Sequence, residues 1–279
     1  MSNPSSKDKN HKHTKRRKAS KSDSPSAQND LIFGLHAIQA ALDVPVSRIK
    51  EIWLADERQD ARIDAIIKGA AKHSITIHKV PREELDNMIP DVQHQGSIAK
   101  CRPLEALNET DLFKLLDGLD ELGEPAFLLI LDGVQDPHNL GACMRTAEAA
   151  GAHAVIAPKD RASSLTHTAL KVSSGAAERL PFIQITNLAR VLRELQQYGV
   201  WLVGTSGESE TTLFEADLKG PLAIILGAEG RGIRRLTREN CDQTVYIPMK
   251  GEAESLNVSV AAGVCLFEAS RQRLQNSIR

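Results

Sequence analysis

Apolar residues recur along this chain in two alternating patterns. Leu35 to Leu42 is amphipathic at helical spacing and Ile49 to Ala55 is a short apolar run. Asp60 to Lys72 returns to the helical pattern, Ile75 to Val80 alternates, a helix opens at Pro81, and Gly96 to Cys101 forms a last short run. That order predicts αβαβαβ and a first domain over residues 31–101, the size of a small module with helices packed on a sheet.

From Pro125 onward the apolar runs lengthen and lose their alternation. Phe127 to Leu131, His153 to Ala157, Phe182 to Ile185, Val200 to Val203, Leu222 to Leu226 and Thr244 to Ile247 read as strands buried on both faces, hence a parallel sheet covered by helices. Helices are expected over Asn139 to Ala150, Asn187 to Tyr198 with Asn187 as N-cap, and Ser255 to Arg273. Leu256 to Phe267 is apolar on almost every side, which predicts a helix buried all round, against the sheet and against another subunit. This second domain is read as residues 125–279. Between the two, residues 102–124 turn polar and acidic around one amphipathic piece, Leu107 to Leu116, and read as an interdomain linker.

Composition narrows the class. With 279 residues, 41% of them hydrophobic, the chain can bury real cores and is neither fibrous nor wholly disordered. No apolar run approaches the roughly 20 residues needed to span a bilayer. Cys101, Cys143, Cys241 and Cys265 have neither CxxC spacing nor a preceding secretory segment, so the expectation is a reduced, cytoplasmic protein without disulfides or a metal site. His36, His78 and His94 stand alone and read as packing or surface residues. The net charge of −1 conceals an asymmetry: residues 1–30 hold eight Lys/Arg against three Asp, a surplus of +5, and almost no large apolar side chain. Such a tail is expected to be disordered, and either holds a phosphate backbone or keeps the chain soluble.

Three loops at strand ends carry the candidate chemistry. In the first, Asp132 to Glu148, Asn139 can cap the following helix, Gly141 permits close approach of a backbone or ligand, and Arg145 follows within two turns. The second, Gly227-Ala-Glu-Gly-Arg-Gly232, can expose backbone N–H groups beside the carboxylate of Glu229, but its order is not the GxGxxG of a dinucleotide fold, which disfavours a nicotinamide oxidoreductase. The third runs from Ile247 to Ala261 and sets Ser255 and Asn257 at the mouth of the apolar helix, where they need partners. Each loop alone also fits an ordinary capped helix or turn.

Taken together and in this order, NLGACMRTAEAAG (139–151), LGAEGRGIRRLT (226–237) and IPMKGEAESLNVSVAAGVCLFEASRQR (247–273) resemble the SpoU-class ribose 2′-O-methyltransferases of the SPOUT superfamily. LIFGLHAIQAAL and HQGSIAK look like the small RNA-binding domain of the class member that methylates a guanosine in the peptidyl-transferase loop of large-subunit ribosomal RNA, so the resemblance covers about residues 31–273. It implies an α/β catalytic domain with a parallel sheet and a C-terminal trefoil knot, one of the rare exceptions to unknotted topology. It also implies a homodimer whose active site is completed across the interface, and S-adenosylmethionine as cofactor. By motif, Gly227, Ile247 and Leu256 would contact the cofactor, with Gly204 on its adenine side, while Asn139, Arg145, Glu229 and Asn257 fall on catalytic and substrate-positioning places. Because a guanidinium stays protonated, Arg145 is read as a cation that stabilises a developing 2′-alkoxide and grips a neighbouring phosphate. The expected substrate is ribosomal RNA. The alternatives are a transfer-RNA ribose methyltransferase, whose relatives usually lack the N-terminal module, and an inactive RNA-binding homologue, against which the intact polar set speaks.

Overall fold

A computed structural model describes residues 31–277. The basic segment 1–30, expected to be disordered, lies outside them. The first unit runs β1 (Leu31–Phe33), α1 (Leu35–Leu42), β2 (Ile49–Ala55), α2 (Ala61–Lys72), β3 (Thr76–Val80), α3 (Arg82–Met88) and β4 (Ser97–Cys101). Its sheet has the order β1-β4-β2-β3, with β2 and β3 parallel and both β4 pairings antiparallel. Asp60 starts α2 by accepting from the backbone N–H of Arg62 and Ile63. Ile63, Ile66 and Ala70 of that helix then pack with Leu42, Ile52 and Leu54 on one sheet face, while Leu85 of α3 joins Ile98 on the other. β1 is the addition to the αβαβαβ expectation; at three residues it is too short for an alternation to register.

The segment 102–124 carries more than a linker does. It contains α4 (Glu109–Glu121), opened by an Asn108–Asp111 capping box. Leu112, Leu116 and Leu119, spaced i, i+4, i+7, are buried with Leu128, Ile130 and Ile183 of the second unit. The amphipathic piece Leu107 to Leu116 is thus the greater part of a helix whose outer face is largely acidic while its inner face covers the second sheet.

That unit continues β5 (Phe127–Asp132), α5 (Pro137–Ala149), β6 (Ala154–Pro158), α6 (His167–Val172), α7 (Ala176–Arg179), β7 (Phe182–Ile185), α8 (Leu188–Gln197), β8 (Trp201–Thr205), β9 (Leu222–Gly227), α9 (Arg235–Glu239), β10 (Gln243–Val245) and α10 (Val258–Ser277). The six strands lie in the order β10-β8-β9-β5-β6-β7, every pair parallel, in agreement with the continuous apolar runs. One face packs on α5 and α10 through Leu129, Leu131, Met144 and Leu266; the other packs on α4 and α8 through Leu128, Ile130, Leu192 and Leu195. The short helices α6 and α7 left no periodicity in the sequence. The carbonyl of Ala169 in α6 sits where a side chain on Gly141 would be, 2.5 Å from an ideal Cβ, so that glycine serves helix–helix approach.

Two expectations are corrected here. Asn139 does not cap α5: the cap is Asp136, which accepts from the His138 N–H at 2.8 Å, and Pro137 takes the first helical position, where its missing donor costs nothing. Nor does α10 start at Ser255. It begins at Val258, leaving Ser255 exposed outside it; Ala262, Cys265, Leu266 and Ala269 are buried, whereas Val260 and Phe267 are each 51% exposed on the opposite side.

The two units touch. Arg48 of the first grips Glu178 of the second through Nε and Nη2, and its Nη1 donates to the Arg102 carbonyl. Both charged side chains are nearly buried, so the pair is a specific joint rather than a solvated contact.

Candidate active site

Because the second sheet is parallel, its strands all end on one edge, which is where open α/β sheets collect their ligands. Asp132 lies opposite Gly227 in the β5–β9 ladder, so the loops after these two strands start side by side. The chain turns back immediately after Gly227: the Gly232 N–H donates to the Ala228 carbonyl at 2.9 Å. A Cβ on Gly227 would lie 1.9 Å from the Gly232 carbonyl carbon, so no other residue fits beneath this turn.

The turn presents Glu229 to the loop after β5 and to the start of α10. Asn257 Nδ2 donates to Glu229 Oε1 at 2.7 Å and to Asn139 Oδ1 at 2.9 Å, and Asn139 Nδ2 donates to the same Glu229 oxygen at 3.3 Å. Asn257 is held in turn by its other end. Its Oδ1 accepts from the N–H and hydroxyl of Ser259, and its carbonyl accepts from the Ala261 N–H, so Asn257 is the N-cap of α10. Three polar residues, from the first turn of α5, the Gly227 turn and the start of α10, thus form one cluster at the surface. Among the described residues Glu229 Oε2 makes no hydrogen bond, which leaves one carboxylate oxygen open to an incoming hydroxyl.

Behind this cluster lies a cleft of about 540 Å³, within the usual range for small-molecule sites. Gly227, Glu229, Ile247 and Leu256 line it, as do Thr205, Ser206 and Met249. Gly204 does not. A side chain there would meet Cys241 Sγ at 2.7 Å and Ile233 Cδ1 at 2.8 Å, so this glycine answers to packing on the far side of β8. Thr205 and Ser206, one and two residues later, were missed; their signal is a polar Thr-Ser-Gly following an apolar strand.

Arg145 stands apart from the cluster. It lies six residues beyond Asn139 on α5, about 9 Å along the axis and turned roughly 120° away. It is exposed and makes no hydrogen bond or ion pair among the described residues. Burial pushes the thiols of Cys143, Cys241 and Cys265 up to about 12, with Asp242 and Asp132 adding to the effect at Cys241, so these cysteines are not nucleophiles. Among the described residues no group of His, Cys, Asp and Glu is placed to hold a metal ion.

Comparison with known proteins adds the following. The model of the SpoU rRNA Methylase family matches residues 126–267, and that of the RNA 2′-O ribose methyltransferase substrate binding family matches residues 31–107. The chain is 53% identical over 245 residues to the 23S rRNA (guanosine-2′-O-)-methyltransferase RlmB of Photobacterium profundum, spanning 88% of this chain and 98% of that one. It is 49% identical over 245 residues to the protein of the same name from Escherichia coli, spanning 88% and 99%. A solved RNA 2′-O ribose methyltransferase, 29% identical and covering 88% of each chain, superposes with a TM-score of 0.69. The SpoU methyltransferase AviRb from Streptomyces viridochromogenes, solved in complex with AdoMet, has the same fold at 24% identity, with a TM-score of 0.68 over 88% of this chain and 90% of that one.

Proposed function

The chain belongs to the SpoU rRNA methylase family, and from that membership we infer that it transfers a methyl group from S-adenosylmethionine to the ribose 2′-hydroxyl of a guanosine in 23S ribosomal RNA. The observation that carries this reading to the level of residues is the amide of Asn257, which joins Asn139 and Glu229 at the mouth of the 540 Å³ cleft.

The cleft fits the cofactor in size and in kind. It is lined by Gly227, by the aliphatic Ile247 and Leu256, and by Thr205 and Ser206. Backbone groups beside glycines recognise a nucleoside by its polar edge, and aliphatic walls exclude water from it. S-adenosylmethionine supplies a methyl group that is already electrophilic. The protein's work is therefore done on the ribose hydroxyl, a poor nucleophile that must be aligned and must acquire alkoxide character.

Glu229 Oε2 accepts a hydrogen bond from the sugar, and Asn139 and Asn257 hold that carboxylate in one orientation. Arg145 supplies the positive charge that a developing alkoxide and a neighbouring phosphate need. Within one subunit it is directed away from the Asn139–Glu229–Asn257 cluster, on the exposed line of α5 that also carries His138 and Ala149. Next to that line, α10 exposes Val260 and Phe267. A second copy of the chain covering this face would bury the two apolar side chains and bring Arg145 to the partner's cleft, which favours a homodimer with sites completed across the interface. The knot implied by the family would thread the C-terminal segment behind the Gly227 turn. The protein works in the cytoplasm, where ribosomal RNA is made and folded, and the peptidyl-transferase loop is the target region. Residues 31–101 serve as the RNA-binding module.

Mapping of ribose methylation in 23S rRNA from cells with and without this gene tests the assignment. One guanosine should lose its 2′-O-methyl group when the gene is absent and regain it on complementation; an unchanged map overturns it.

A further inference from the structure

Resting on the methyl-transfer reading above, we propose that Arg161 and Arg234 form a phosphate grip at the rim of the site, holding the RNA backbone beside the target nucleotide. Asp132 closes β5 with a side chain that is completely buried. Its Oδ2 accepts from the backbone N–H of Arg234 at 2.8 Å, and its Oδ1 lies 3.0 Å from Arg234 Nε. The guanidinium is thus held on its inner edge by an ion pair alone, without a hydrogen bond to Oδ1. Its two outer nitrogens have no acceptor among the described residues, and the side chain is 47% exposed. A planar fork fixed in this way matches two oxygens of a phosphodiester.

Arg161 brings the charge that Asp132 cancels at Arg234. It is exposed, makes no ion pair or hydrogen bond through its side chain among the described residues, and holds a left-handed backbone (φ 55°) that a long side chain seldom adopts. The Arg234 guanidinium and the backbone of Arg161 come together at one point, Gly133. An ideal Cβ on Gly133 would lie 3.4 Å from Arg234 Nη2 and 3.9 Å from the Arg161 carbonyl, and the Ser163 N–H donates to the Val134 carbonyl at 2.8 Å, tying the loops together. That point is one residue beyond the Asp132–Gly227 pair of the ladder, on the sheet edge that carries Glu229. The opposite edge, where α4 runs into β5, exposes Asp117, Asp120, Glu121 and Glu124 and repels a polyanion. A phosphate backbone is therefore disfavoured at that edge.

Two substitutions separate a grip from a structural staple. Arg161→Gly removes the cation and suits the left-handed backbone, so the fold is kept. Arg234→Lys keeps the pairing with Asp132 and loses the fork. Each is assayed with a 23S rRNA fragment containing the target, by binding titration over a range of salt and by steady-state methyl transfer, with cofactor affinity from calorimetry and melting temperature as controls. For Arg161→Gly, RNA affinity should fall about 3- to 10-fold and the slope of log affinity against log salt should flatten by about one. For Arg234→Lys, KM for RNA should rise by a similar factor while kcat, cofactor affinity and melting temperature stay as in the wild type. Wild-type affinity and salt slope in both variants would overturn the grip. Loss of cofactor binding or melting temperature in Arg234→Lys, in step with RNA affinity, would make Arg234 a staple and overturn its half of the grip. Binding is read without turnover, so a wild-type protein that bound the RNA through these arginines and transferred no methyl group would sink the methyl-transfer reading while supporting the grip.

Discussion

Asn257 donates to Glu229 Oε1 at 2.7 Å while its own Oδ1 accepts from the Ser259 N–H at 2.9 Å. One side chain therefore starts α10 and orients the carboxylate of the candidate active site. The cap fixes the amide with its nitrogen outward, so the helix start and the site are set by the same rotamer. Replacing Asn257 separates the two roles. Asn257→Asp keeps an acceptor for Ser259 but turns a second carboxylate oxygen toward Glu229 and Asn139 Oδ1, where donors stood. Asn257→Ala removes the cap, at a cost of about 1 kcal/mol. We expect Asp to melt close to wild type and Ala lower, with methyl transfer lost in both. An active Asp variant in single-turnover assays would show that Glu229 needs no amide beside it.

Gly227 offers a harsher test. Any side chain must displace the Gly232 carbonyl, against which it would lie within 2.1 Å, and the displaced segment is the one that carries Glu229. Gly227→Ala is expected to cost about 2 kcal/mol or more, as substitutions that strain a special backbone do, and to abolish cofactor binding. Calorimetric titration with S-adenosylmethionine checks this directly; Gly118, in α4 with open space around it and away from the cleft, is the control position where alanine should bind normally.

Much of the fold was legible in the sequence and much of the site was not, for one physical reason. The central strands β5, β6 and β9 announce themselves because burial on both faces demands unbroken apolar runs. β1, α6 and α7 span three, six and four residues, too few to display a period. At the start of α5 two cap-forming residues, Asp136 and Asn139, stand three apart, and only the Pro137 between them, preset for the first helical position, marks Asp136 as the cap. Asn139 and Asn257 are 118 residues apart and Glu229 lies between them, so no spacing rule brings them together. The resemblance of the three loops to a known family picked them out, and the parallel sheet explains how they meet. Gly204 was chosen by the same route, yet its tight contact with Cys241 and Ile233 accounts for it by packing alone.

The exposed side of α10 makes the proposed homodimer testable. Val260 and Phe267 lie seven residues apart on one line of the helix, both half exposed. A charge at either position would be desolvated in a dimer and solvated in a monomer. Phe267→Glu should therefore sediment as a folded monomer with little activity. A stable, fully active Phe267→Glu dimer would place the interface elsewhere.

Burial also governs the cysteines. With Cys143, Cys241 and Cys265 pushed up to about 12, the thiolate that reacts with alkylating agents is scarce at pH 8 in the folded protein. Labelling of these three by iodoacetamide, followed by mass spectrometry, should be negligible under native conditions and complete in denaturant. Methyl transfer should survive treatment of the native protein, and loss of activity with stoichiometric labelling of Cys241 would contradict that.

Arg145 separates the chemical reading of α5 from a surface one. As an exposed helical residue without a partner among the described residues, it would tolerate alanine with neither melting temperature nor turnover changed. As the cation that stabilises the 2′-alkoxide, its removal should slow methyl transfer by roughly 10²-fold or more while cofactor affinity stays near wild type. Arg145→Lys refines the distinction, because a compact ammonium retains the charge and loses the planar fork, so a bidentate role predicts that lysine fails nearly as badly as alanine. Mixing Arg145→Ala with Asn139→Ala subunits adds the decisive arm. If the arginine acts across a dimer interface, the mixed dimer holds one site with Arg145 and Asn139 both intact, and activity should return to about a quarter of the wild-type level after random exchange. Two inactive variants that stay inactive on exchange would place Arg145 in the site of its own subunit.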